Sequence, residues 1–401
     1  MSWESVNNIN GLLYYCEPVN KFNSDKVLAL DLDHTVIKPE IGKSFPVSID
    51  DWIFAFNMNK VREYSRKGYK IVIMSNQKGS YQGKGKLTFD DFKERWFTIL
   101  KGLNVPAYIL AAPQDDFYRK PFIGMWKYMK SHLNGDIKID KGKCLFVGDA
   151  AGRRGDHSDA DIKFAINIGI DFKTPEEFFE NSQDYPFDSL KKNLRGFNMK
   201  EYLNGISEID KINRNSWKEL SEKIKNNKMI KMIIMVGSPA SGKTTITHLI
   251  QEKAKKHNLK WDVLSLDIEK TKKKMKDKIA KLLNQDEDNI DGVIIDATNS
   301  TKENRKEWLD VLEKVNPDFK AVCVYLNVEK DLVLHLNNLR AIKKMIDPSY
   351  HSKNVPTVAI HTYWKKLEKP DKDENFEEII EFDFEPNFKN NEEKKQFLTW
   401  T

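Results

Sequence analysis

The chain has 401 residues, of which 40% are hydrophobic and 31% are charged, and its formal net charge is +6. A chain of this length exceeds one typical domain core, so the composition predicts a globular protein of two or three domains. No apolar run is long enough to span a bilayer, and the first residues lack a signal-peptide pattern, which argues against the membrane-spanning and secreted classes. We therefore expect an intracellular protein without a membrane partner, nuclear in a eukaryote and in the host cell or viral factory if the source is a virus.

Neither the cysteines nor the lysine-rich run identifies a function. Cys16, Cys144 and Cys323 are scattered without the spacing of metal ligands, so we expect reduced, buried side chains. Residues 270–278 hold six lysines and one aspartate. Such a run forms a solvated helix face or contacts a polyanion, and both interpretations stay open.

A glycine-rich turn follows the apolar run at residues 231–236 and precedes an amphipathic stretch. Its spacing, Gly237-x4-Gly242-Lys243-Thr244, is that of the phosphate-binding P-loop. Backbone N–H groups of such a loop can cradle phosphates, Lys243 can reach the β and γ phosphates, and the Thr244 hydroxyl can hold Mg²⁺. A chance glycine turn is the alternative, but the strand-turn-helix context favours a nucleotide site. The predicted nucleotide-binding residues are Gly237, Ser238, Pro239, Ala240, Ser241, Gly242, Lys243, Thr244 and Thr245.

Both halves of the chain alternate short apolar runs with helical stretches, which predicts an α/β fold with two parallel sheets covered by helices on both faces. In the first half, a helix is expected to start at Thr88. We place the domains at residues 1–190 and 229–401, joined by a partly helical linker at residues 191–228. The predicted strands are residues 26–31, 70–77, 108–112, 144–149 and 164–168 in the first half, and 231–236, 261–266, 292–296, 321–326 and 378–382 in the second.

Polar side chains stand at or just past the predicted strand ends of the first half. Asp31 and Asp33 are two residues apart after the first strand, so they face the same side. Ser75, Lys120 and Asp149 follow later strands, and the strand ends of an open α/β sheet share one crevice. Alone, each residue is explained by a turn, a cap or a solvated side chain. Their order along the chain favours one common site.

These residues together predict phosphoryl-transfer chemistry. Asp31 can attack phosphorus as a nucleophile, and Asp33 can protonate the leaving oxygen and then activate water. Ser75 and Lys120 can bind the phosphoryl oxygens. Because Mg²⁺ prefers oxygen ligands, the predicted metal ligands are Asp31, Asp33 and Asp149 here and Thr244 in the P-loop.

The motifs Asp31-Leu-Asp33-x-Thr35, Ser75-Asn76, Lys120-Pro121 and Gly148-Asp149 resemble those of the haloacid-dehalogenase-type phosphatases. Longer stretches are similar to the polynucleotide kinase 3′-phosphatase family, over residues 1–180 and again from the P-loop to about residue 370. The resemblance implies a haloacid-dehalogenase-like Rossmannoid domain followed by a P-loop kinase domain. The longer stretches include Tyr118-Arg-Lys-Pro, Phe146-Val-Gly-Asp149-Ala-Ala-Gly152-Arg153, Asp156-His-Ser-Asp-Ala-Asp161 and Thr174-Pro-Glu-Glu-Phe-Phe179.

For the first domain, the resemblance implies hydrolysis of 3′-phosphates on nucleic-acid ends. Asp31 would be the nucleophile and Asp33 the acid and base. The same resemblance places Asn76, Lys84 and Arg119 at the substrate, with Lys84 facing the nucleic-acid backbone.

For the second domain, the resemblance implies transfer of the ATP γ-phosphate to a 5′-hydroxyl. Asp267 takes the position that deprotonates this hydroxyl in the family, although an aspartate before a helix also serves as an N-cap. Lys270 and Asp296 are expected at the acceptor, and Arg340 in a lid over ATP. The implied cofactors are Mg²⁺ and ATP, the latter as co-substrate.

The sequence departs from the family pattern in three places. His34 and Leu266 replace a glycine and an arginine of the family, and the loop at residues 79–83 is one residue longer. Near the end of the likeness, Tyr363 and Trp364 either stack on bases or pack in the core.

The leading hypothesis is a bifunctional enzyme that heals nucleic-acid ends, with DNA as the expected substrate and RNA as the alternative. We expect a monomer without the phosphopeptide-binding domain that animal relatives use for recruitment. A fusion of a small-metabolite phosphatase with a metabolite kinase is the second hypothesis, and a non-enzymatic scaffold that binds nucleic-acid ends is the third.

Overall fold

A computed structural model of the chain describes residues 1–8, 11–41, 46–83, 87–284, 290–346, 355–388 and 390–401. The chain divides into two compact units. The first unit consists mainly of Met1–Gly196 and also holds Thr399–Thr401, and the second begins at Phe197. Among the helices in the described part of the chain, none has the length and apolar character needed to cross a membrane.

The first unit is built on a seven-stranded mixed sheet with the order β1-β2-β7-β6-β3-β8-β9. The strands from β7 to β9 are parallel, and the hairpin β1–β2 extends the sheet antiparallel along the edge of β7. A separate antiparallel pair, β4–β5, follows the first parallel strand. The strands are β1 Trp3–Asn8, β2 Gly11–Cys16, β3 Val27–Leu30, β4 Ile37–Lys38, β5 Ile53–Phe54, β6 Lys70–Asn76, β7 Ala107–Ala112, β8 Leu145–Val147 and β9 Asp171–Lys173.

Helices cover both faces of this sheet, and two clusters of buried apolar side chains lie on its opposite sides. The predicted helix start at Thr88 is confirmed by a capping box: the Thr88 hydroxyl accepts from the Asp91 N–H, and the Asp91 carboxylate accepts from the Thr88 N–H. The helices are α1 Asn59–Arg66, α2 Lys78–Tyr81, α3 Phe89–Leu103, α4 Gly124–His132, α5 Ala160–Ile168 and α6 Phe187–Leu190.

The prediction of a strand at residues 164–168 was wrong. These residues form the second half of α5, which ends at Gly169 with a φ of 81°. Phe164, Ala165 and Ile168 are all buried, and a short apolar run of a buried helix cannot be told from a strand by its periodicity. The fifth parallel strand is instead β9, three residues long, at Asp171–Lys173.

The second unit has a five-stranded, fully parallel sheet with the order β11-β12-β10-β13-β14. All of its predicted strands are confirmed with small shifts of their ends. The strands are β10 Ile230–Val236, β11 Trp261–Ser265, β12 Gly292–Asp296, β13 Lys320–Leu326 and β14 Glu378–Phe382, and the helices are α7 Met199–Asn204, α8 Ile206–Asn226, α9 Lys243–Lys256, α10 Leu266–Glu269, α11 Lys272–Asn284, α12 Lys302–Val315, α13 Lys330–Ile346, α14 Thr357–Lys366 and α15 Asn391–Phe397.

The predicted linker at residues 191–228 consists largely of helix, and from Phe197 onward it groups with the second unit. Helix α8 buries Leu220 and Ile224, and its Ser216 hydroxyl donates to the carbonyl oxygen of Glu381 at 2.5 Å. The polar surface of α8 suggested a linker, but its narrow buried face packs beside β14. The structural boundary between the units therefore lies near Gly196.

Candidate active sites

Asp31 and Asp149 meet because β3 and β8 are neighbours in the sheet of the first unit. Leu30 lies opposite Val147, and the Asp31 N–H donates to the Val147 carbonyl at 2.9 Å. The carboxyl ends of both strands thus open at one edge, as the sequence predicted. The carboxylates of these two residues converge there with a third.

The third carboxylate is Asp161, which the sequence analysis did not assign. It lies in the first turn of α5, is almost fully buried, and accepts a hydrogen bond from the Ala150 N–H at 3.1 Å. One carboxylate oxygen from each of Asp31, Asp149 and Asp161 lies within 4.8 Å of the others. A Cβ on Gly148 would stand 2.3 Å from Asp161 Oδ2, so this approach requires glycine.

Lys120 neutralises part of this acidic cluster. Its Nζ lies 2.5 Å from Asp31 Oδ1 and 2.7 Å from Asp161 Oδ1, with only 2% of the side chain exposed. Burial by itself would lower the pKa of Lys120, but Asp161 and Asp31 outweigh burial and raise the pKa. The ammonium therefore stays charged at neutral pH.

Asn76 fixes Lys120 through the backbone. Its side-chain amide donates to the Lys120 carbonyl at 3.1 Å and accepts from the Lys120 N–H at 2.9 Å. The resemblance implies a place for Asn76 at the substrate, and in the structure these two bonds hold the backbone of Lys120 in position.

Asp33 has a different neighbourhood from the three clustered carboxylates. Its Oδ2 accepts from the Gln77 amide at 2.8 Å, and the same amide donates to the Ser75 hydroxyl at 2.8 Å. Burial and then the charge of Asp31 raise the pKa of Asp33. The side chain is thus suited to hold a proton, and among the described residues it is not part of the acidic cluster, although the sequence predicted it as a metal ligand. Gln77, which donates this bond, is the last residue of the strand predicted at residues 70–77, and the sequence assigned it no role.

The charges of the cluster fit a divalent cation. Burial, followed by repulsion from Asp161 and Asp31, raises the pKa of Asp149 to about 8. Burial also raises the pKa of Asp161 to about 6. Three carboxylates facing one ammonium carry excess negative charge, and Mg²⁺ is a hard ion that binds such oxygens. The residues that would hold it are Asp31, Asp149 and Asp161.

Two further predicted substrate residues are not placed in this site. Lys84 lies outside the described residues. The Arg119 side chain is about one-third exposed, and its Nε lies 3.3 Å from Asp115 Oδ1. Arg119 thus precedes Lys120 in the sequence, but its side chain forms an ion pair with the exposed Asp115.

In the second unit, the loop between β10 and α9 has the predicted P-loop form. Ala240 and Gly242 have φ values of 68° and 96°, a left-handed backbone that favours glycine at the second position. The Lys243 ammonium donates to the carbonyl oxygens of Gly237 at 3.0 Å and Ser238 at 2.8 Å. A Cβ on Gly237 would approach Ser241 Oγ to 2.9 Å. The loop therefore folds closely around its lysine.

Asp296 pairs with the P-loop threonine. Strands β10 and β12 are neighbours, and the Thr244 hydroxyl donates to Asp296 Oδ2 at 2.9 Å at their carboxyl ends. In P-loop enzymes, this combination of a loop hydroxyl and a strand-end aspartate holds Mg²⁺. The structure thus brings Asp296 to the predicted metal ligand Thr244.

A buried hydrogen-bond network lies beside β10, the strand that leads into the P-loop. The side-chain amide of Asn299 donates to the Met235 carbonyl at 2.8 Å, and the backbone carbonyl of Asn299 accepts from Arg305 at 3.0 Å. Arg305 is fully buried and forms two bonds of 2.6 and 2.7 Å with Glu374. Sequence reasoning missed this pair because its partners are far apart in the chain.

The remaining predicted kinase residues lie on neighbouring elements. Asp267 belongs to α10, directly after β11, and its side chain lies outside the described part of the chain. Lys270 directly follows α10 and has a φ of 67°, and Arg340 lies in α13. Tyr363 is buried, which favours packing over stacking on bases.

The first unit thus carries the site of a haloacid-dehalogenase-type phosphatase, and the second the site of a P-loop kinase. Residues 26–179 match the family model described as "Polynucleotide kinase 3 phosphatase", and residues 232–370 match the one described as "AAA domain". A relative named "Bifunctional polynucleotide phosphatase/kinase" from Schizosaccharomyces pombe is 30% identical over 94% of this chain and 84% of its own length. The chain therefore belongs to the bifunctional polynucleotide phosphatase/kinase family.

Two other relatives match a smaller part of the chain. The protein named "Polynucleotide 3'-phosphatase ZDP" from Arabidopsis thaliana is 36% identical over 41% of this chain and 25% of its own length. The protein named "Polynucleotide 3'-phosphatase" from Saccharomyces cerevisiae is 31% identical over 38% of this chain and 87% of its own length.

Proposed function

We propose that this enzyme heals broken DNA by removing a 3′-phosphate with its first unit and phosphorylating a 5′-hydroxyl with its second. The observation that carries the proposal is the pairing of two complete phosphoryl-transfer sites in one chain. One holds Lys120 between Asp31 and Asp161, and the other holds Thr244 against Asp296. Membership of the family supports nucleic-acid ends as the substrate of both.

In the phosphatase reaction, Asp31 attacks phosphorus and forms an aspartyl-phosphate while the bond from phosphorus to the 3′-oxygen breaks. Asp33 gives its proton to that leaving oxygen, and its raised pKa keeps the proton available. Asp33 then takes a proton from the water that hydrolyses the aspartyl-phosphate, which releases phosphate and restores Asp31. Gln77 orients Asp33 throughout, at 2.8 Å from its Oδ2.

Mg²⁺ bound by Asp31, Asp149 and Asp161 would neutralise charge on the phosphoryl oxygens. Lys120 adds a fixed positive charge that remains when substrate leaves. The Ser75 hydroxyl accepts from Gln77 at 2.8 Å, so its own proton stays available for a phosphoryl oxygen.

In the kinase reaction, Lys243 would exchange its loop carbonyl partners for phosphate oxygens of ATP, and Thr244 with Asp296 would hold the accompanying Mg²⁺. We assign Asp267 as the base that takes the proton of the 5′-hydroxyl, because α10 starts at the carboxyl end of β11. Strand β11 is the neighbour of β12 and pairs Ser265 with Asp296. Lys270 would contribute positive charge to the acceptor strand.

The test uses a nicked duplex with a 3′-phosphate and a 5′-hydroxyl at the nick, prepared as DNA and as RNA of the same sequence. We expect both ends to be converted, with faster conversion of DNA. Faster conversion of RNA would show that RNA, and not DNA, is the preferred substrate. A preference for sugar phosphates over either duplex would overturn the proposal.

Two variants separate the activities. Asp31→Asn should abolish release of phosphate and leave 5′ phosphorylation intact, and Lys243→Ala should do the opposite. An intact phosphatase in the first variant, or an intact kinase in the second, would remove that residue from the mechanism.

A further inference from the structure

Helix α5 contacts Lys120 and the residue after it from both of its ends. Asp161, in the first turn of the helix, lies 2.7 Å from the Lys120 ammonium. Asn167, in the last turn, donates from its side-chain amide to the carbonyl oxygen of Pro121 at 3.0 Å. The two helix residues are six positions apart, which is about 9 Å along an α-helix. A shift of α5 along its axis would therefore separate Asp161 from the ammonium.

The side chain of Asn167 is itself held by a segment from far along the chain. Residues Thr399–Thr401 follow α15 in the sequence and group with the first unit, and we call them the strap. The Trp400 N–H donates to Asn167 Oδ1 at 2.8 Å, and the Asn167 amide nitrogen donates to the Trp400 carbonyl at 2.9 Å. Two hydrogen bonds thus join one side chain of α5 to one residue of the strap.

These bonds decide which way the Asn167 amide points. Its nitrogen carries two hydrogens, which go to the carbonyls of Pro121 and Trp400, and its oxygen accepts from the Trp400 N–H. Because an N–H group only donates and a carbonyl only accepts, the Trp400 N–H directs the amide nitrogen towards Pro121. Without Trp400, the amide would be free to turn over and present its oxygen to the Pro121 carbonyl, where two acceptors repel.

A second side chain of α5 anchors the strap. Lys163 lies one turn before Asn167, and only 5% of its side chain is exposed. Its ammonium donates to the main-chain oxygen of Thr401 at 3.0 Å and pairs with Asp159 at 3.0 Å. The ammonium also lies 5.9 Å from the centre of the Trp400 ring, which is within cation–π range. The strap therefore supplies partners to a buried charge, which favours its docked position.

We propose that Asn167 is a positioning residue of the phosphatase, and that the strap holds it in the orientation that keeps Lys120 between Asp31 and Asp161. Asn76 fixes the N–H and the carbonyl of Lys120, and Asn167 fixes the next carbonyl of the chain. The ammonium then stands where charge develops on the phosphoryl group. The inference rests on the proposed phosphatase mechanism and adds a dependence on residues that follow the last helix of the second unit in the sequence.

The first experiment changes Asn167. Asn167→Ala removes the whole amide, and Asn167→Asp keeps an oxygen for the Trp400 N–H but has no hydrogen for Pro121 when it is ionised. We expect both variants to lower the phosphatase kcat on 3′-phosphorylated DNA by about 10- to 100-fold, the effect of a small displacement in an active site. The exposed Asn193→Ala is the matched control and should keep the wild-type rate. Thermal unfolding shows that each variant is folded at the assay temperature, and a wild-type kcat in Asn167→Ala would overturn the inference.

The second experiment removes one hydrogen bond of the strap. Proline has no backbone N–H, so Trp400→Pro loses both the ring and the donor to Asn167 Oδ1, whereas Trp400→Ala loses the ring alone. We expect Trp400→Pro to lower kcat nearly as much as Asn167→Ala does, and Trp400→Ala to lower it much less. Equal rates for the proline and alanine variants would overturn the role of the strap.

A double variant separates positioning from a general loss of stability. If Trp400 acts through Asn167, Asn167→Ala combined with Trp400→Pro should have the kcat of Asn167→Ala alone, because the effects of residues in one hydrogen-bond network do not add. Independent effects that multiply would contradict the proposal. A wild type that hydrolyses only sugar phosphates, with the same dependence on Asn167, would instead refute the proposed DNA substrate and leave the positioning role intact.

Discussion

Lys120 and Asp161 form an ion pair at 2.7 Å in which both side chains are almost fully buried. Removing one partner of such a pair leaves an uncompensated buried charge. Because Lys120 also contacts Asp31, the pair holds the ammonium against the proposed nucleophile. We therefore expect the phosphatase site to depend on Asp161.

Asp161→Asn should therefore lower the phosphatase kcat by about 100-fold or more, the scale of losing one preorganised electrostatic group. The variant loses a partner of Lys120 and one of three candidate Mg²⁺ ligands. Kinase activity should not change, and the exposed Asp171→Asn serves as control. A normal rate at every Mg²⁺ concentration would contradict this role.

Gly148→Ala should have an effect similar to Asp161→Asn. The new Cβ would stand 2.3 Å from Asp161 Oδ2, so the carboxylate must move away from Lys120. Gly142→Ala is the control, because its Cβ would lie 3.5 Å from its nearest neighbour, Asp140 Oδ1. Steady-state phosphatase rates of both variants give the comparison, and equal rates would show that Asp161 can relax without loss.

Thr244→Val should abolish most kinase activity, because it removes the hydroxyl that donates to Asp296 at 2.9 Å while keeping the size of the side chain. Thr244→Ser, which restores a hydroxyl, should recover most of the rate. Phosphatase activity should be the same in both. If valine and serine behaved alike, the hydroxyl would have no part in binding the metal.

The free energy of unfolding of the first unit should rise with pH because Lys70 is buried. Its ammonium is buried, donates to the carbonyls of Phe22 and Leu133, and has a pKa that burial lowers to about 8 from an ordinary value near 10.5. The unfolded chain binds this proton more tightly, so the penalty of burying the charge is full below pH 8 and disappears above pH 10.5.

The free energy of unfolding should then rise by at most about 1.4 kcal/mol per pH unit across that interval, relative to Lys70→Met. Thermal unfolding of both chains at pH 8 and pH 9.5, followed by loss of phosphatase activity, measures the difference. The exposed Lys101→Met should show no such difference. A wild type that loses stability relative to Lys70→Met over this interval would contradict the expected sign.

The strand-end rule explains which site residues the sequence could reveal. Asp31 and Asp149 follow parallel strands, so their meeting was predictable, and so was the P-loop, whose spacing is itself a signal. Asp161 was not predicted because it lies at the start of a helix and not at a strand end. Its carboxylate reaches the site only because Gly148 has no side chain at the point where the two residues meet. That close approach arises when α5 packs against β8.

The wrong strand prediction at residues 164–168 and the missed ion pair of the second unit have a related cause. Helix α5 resembled a strand because tertiary burial covers most of its surface and removes the helical periodicity. The pair of Arg305 and Glu374 joins residues 69 positions apart, and no local pattern announces it. Contacts between distant residues form only when the whole domain packs, so no short stretch of sequence predicts them.

The contacts of α8 have a practical consequence for separating the two activities. A kinase fragment cut at residue 228, where the P-loop strand is about to begin, would lack the buried Leu220 and Ile224 of α8 and the Ser216 hydroxyl that donates to the Glu381 carbonyl. We expect such a fragment to be less stable than one that begins at Phe197 and keeps the whole helix. The boundary of the kinase is thus set by a helix that precedes its first strand.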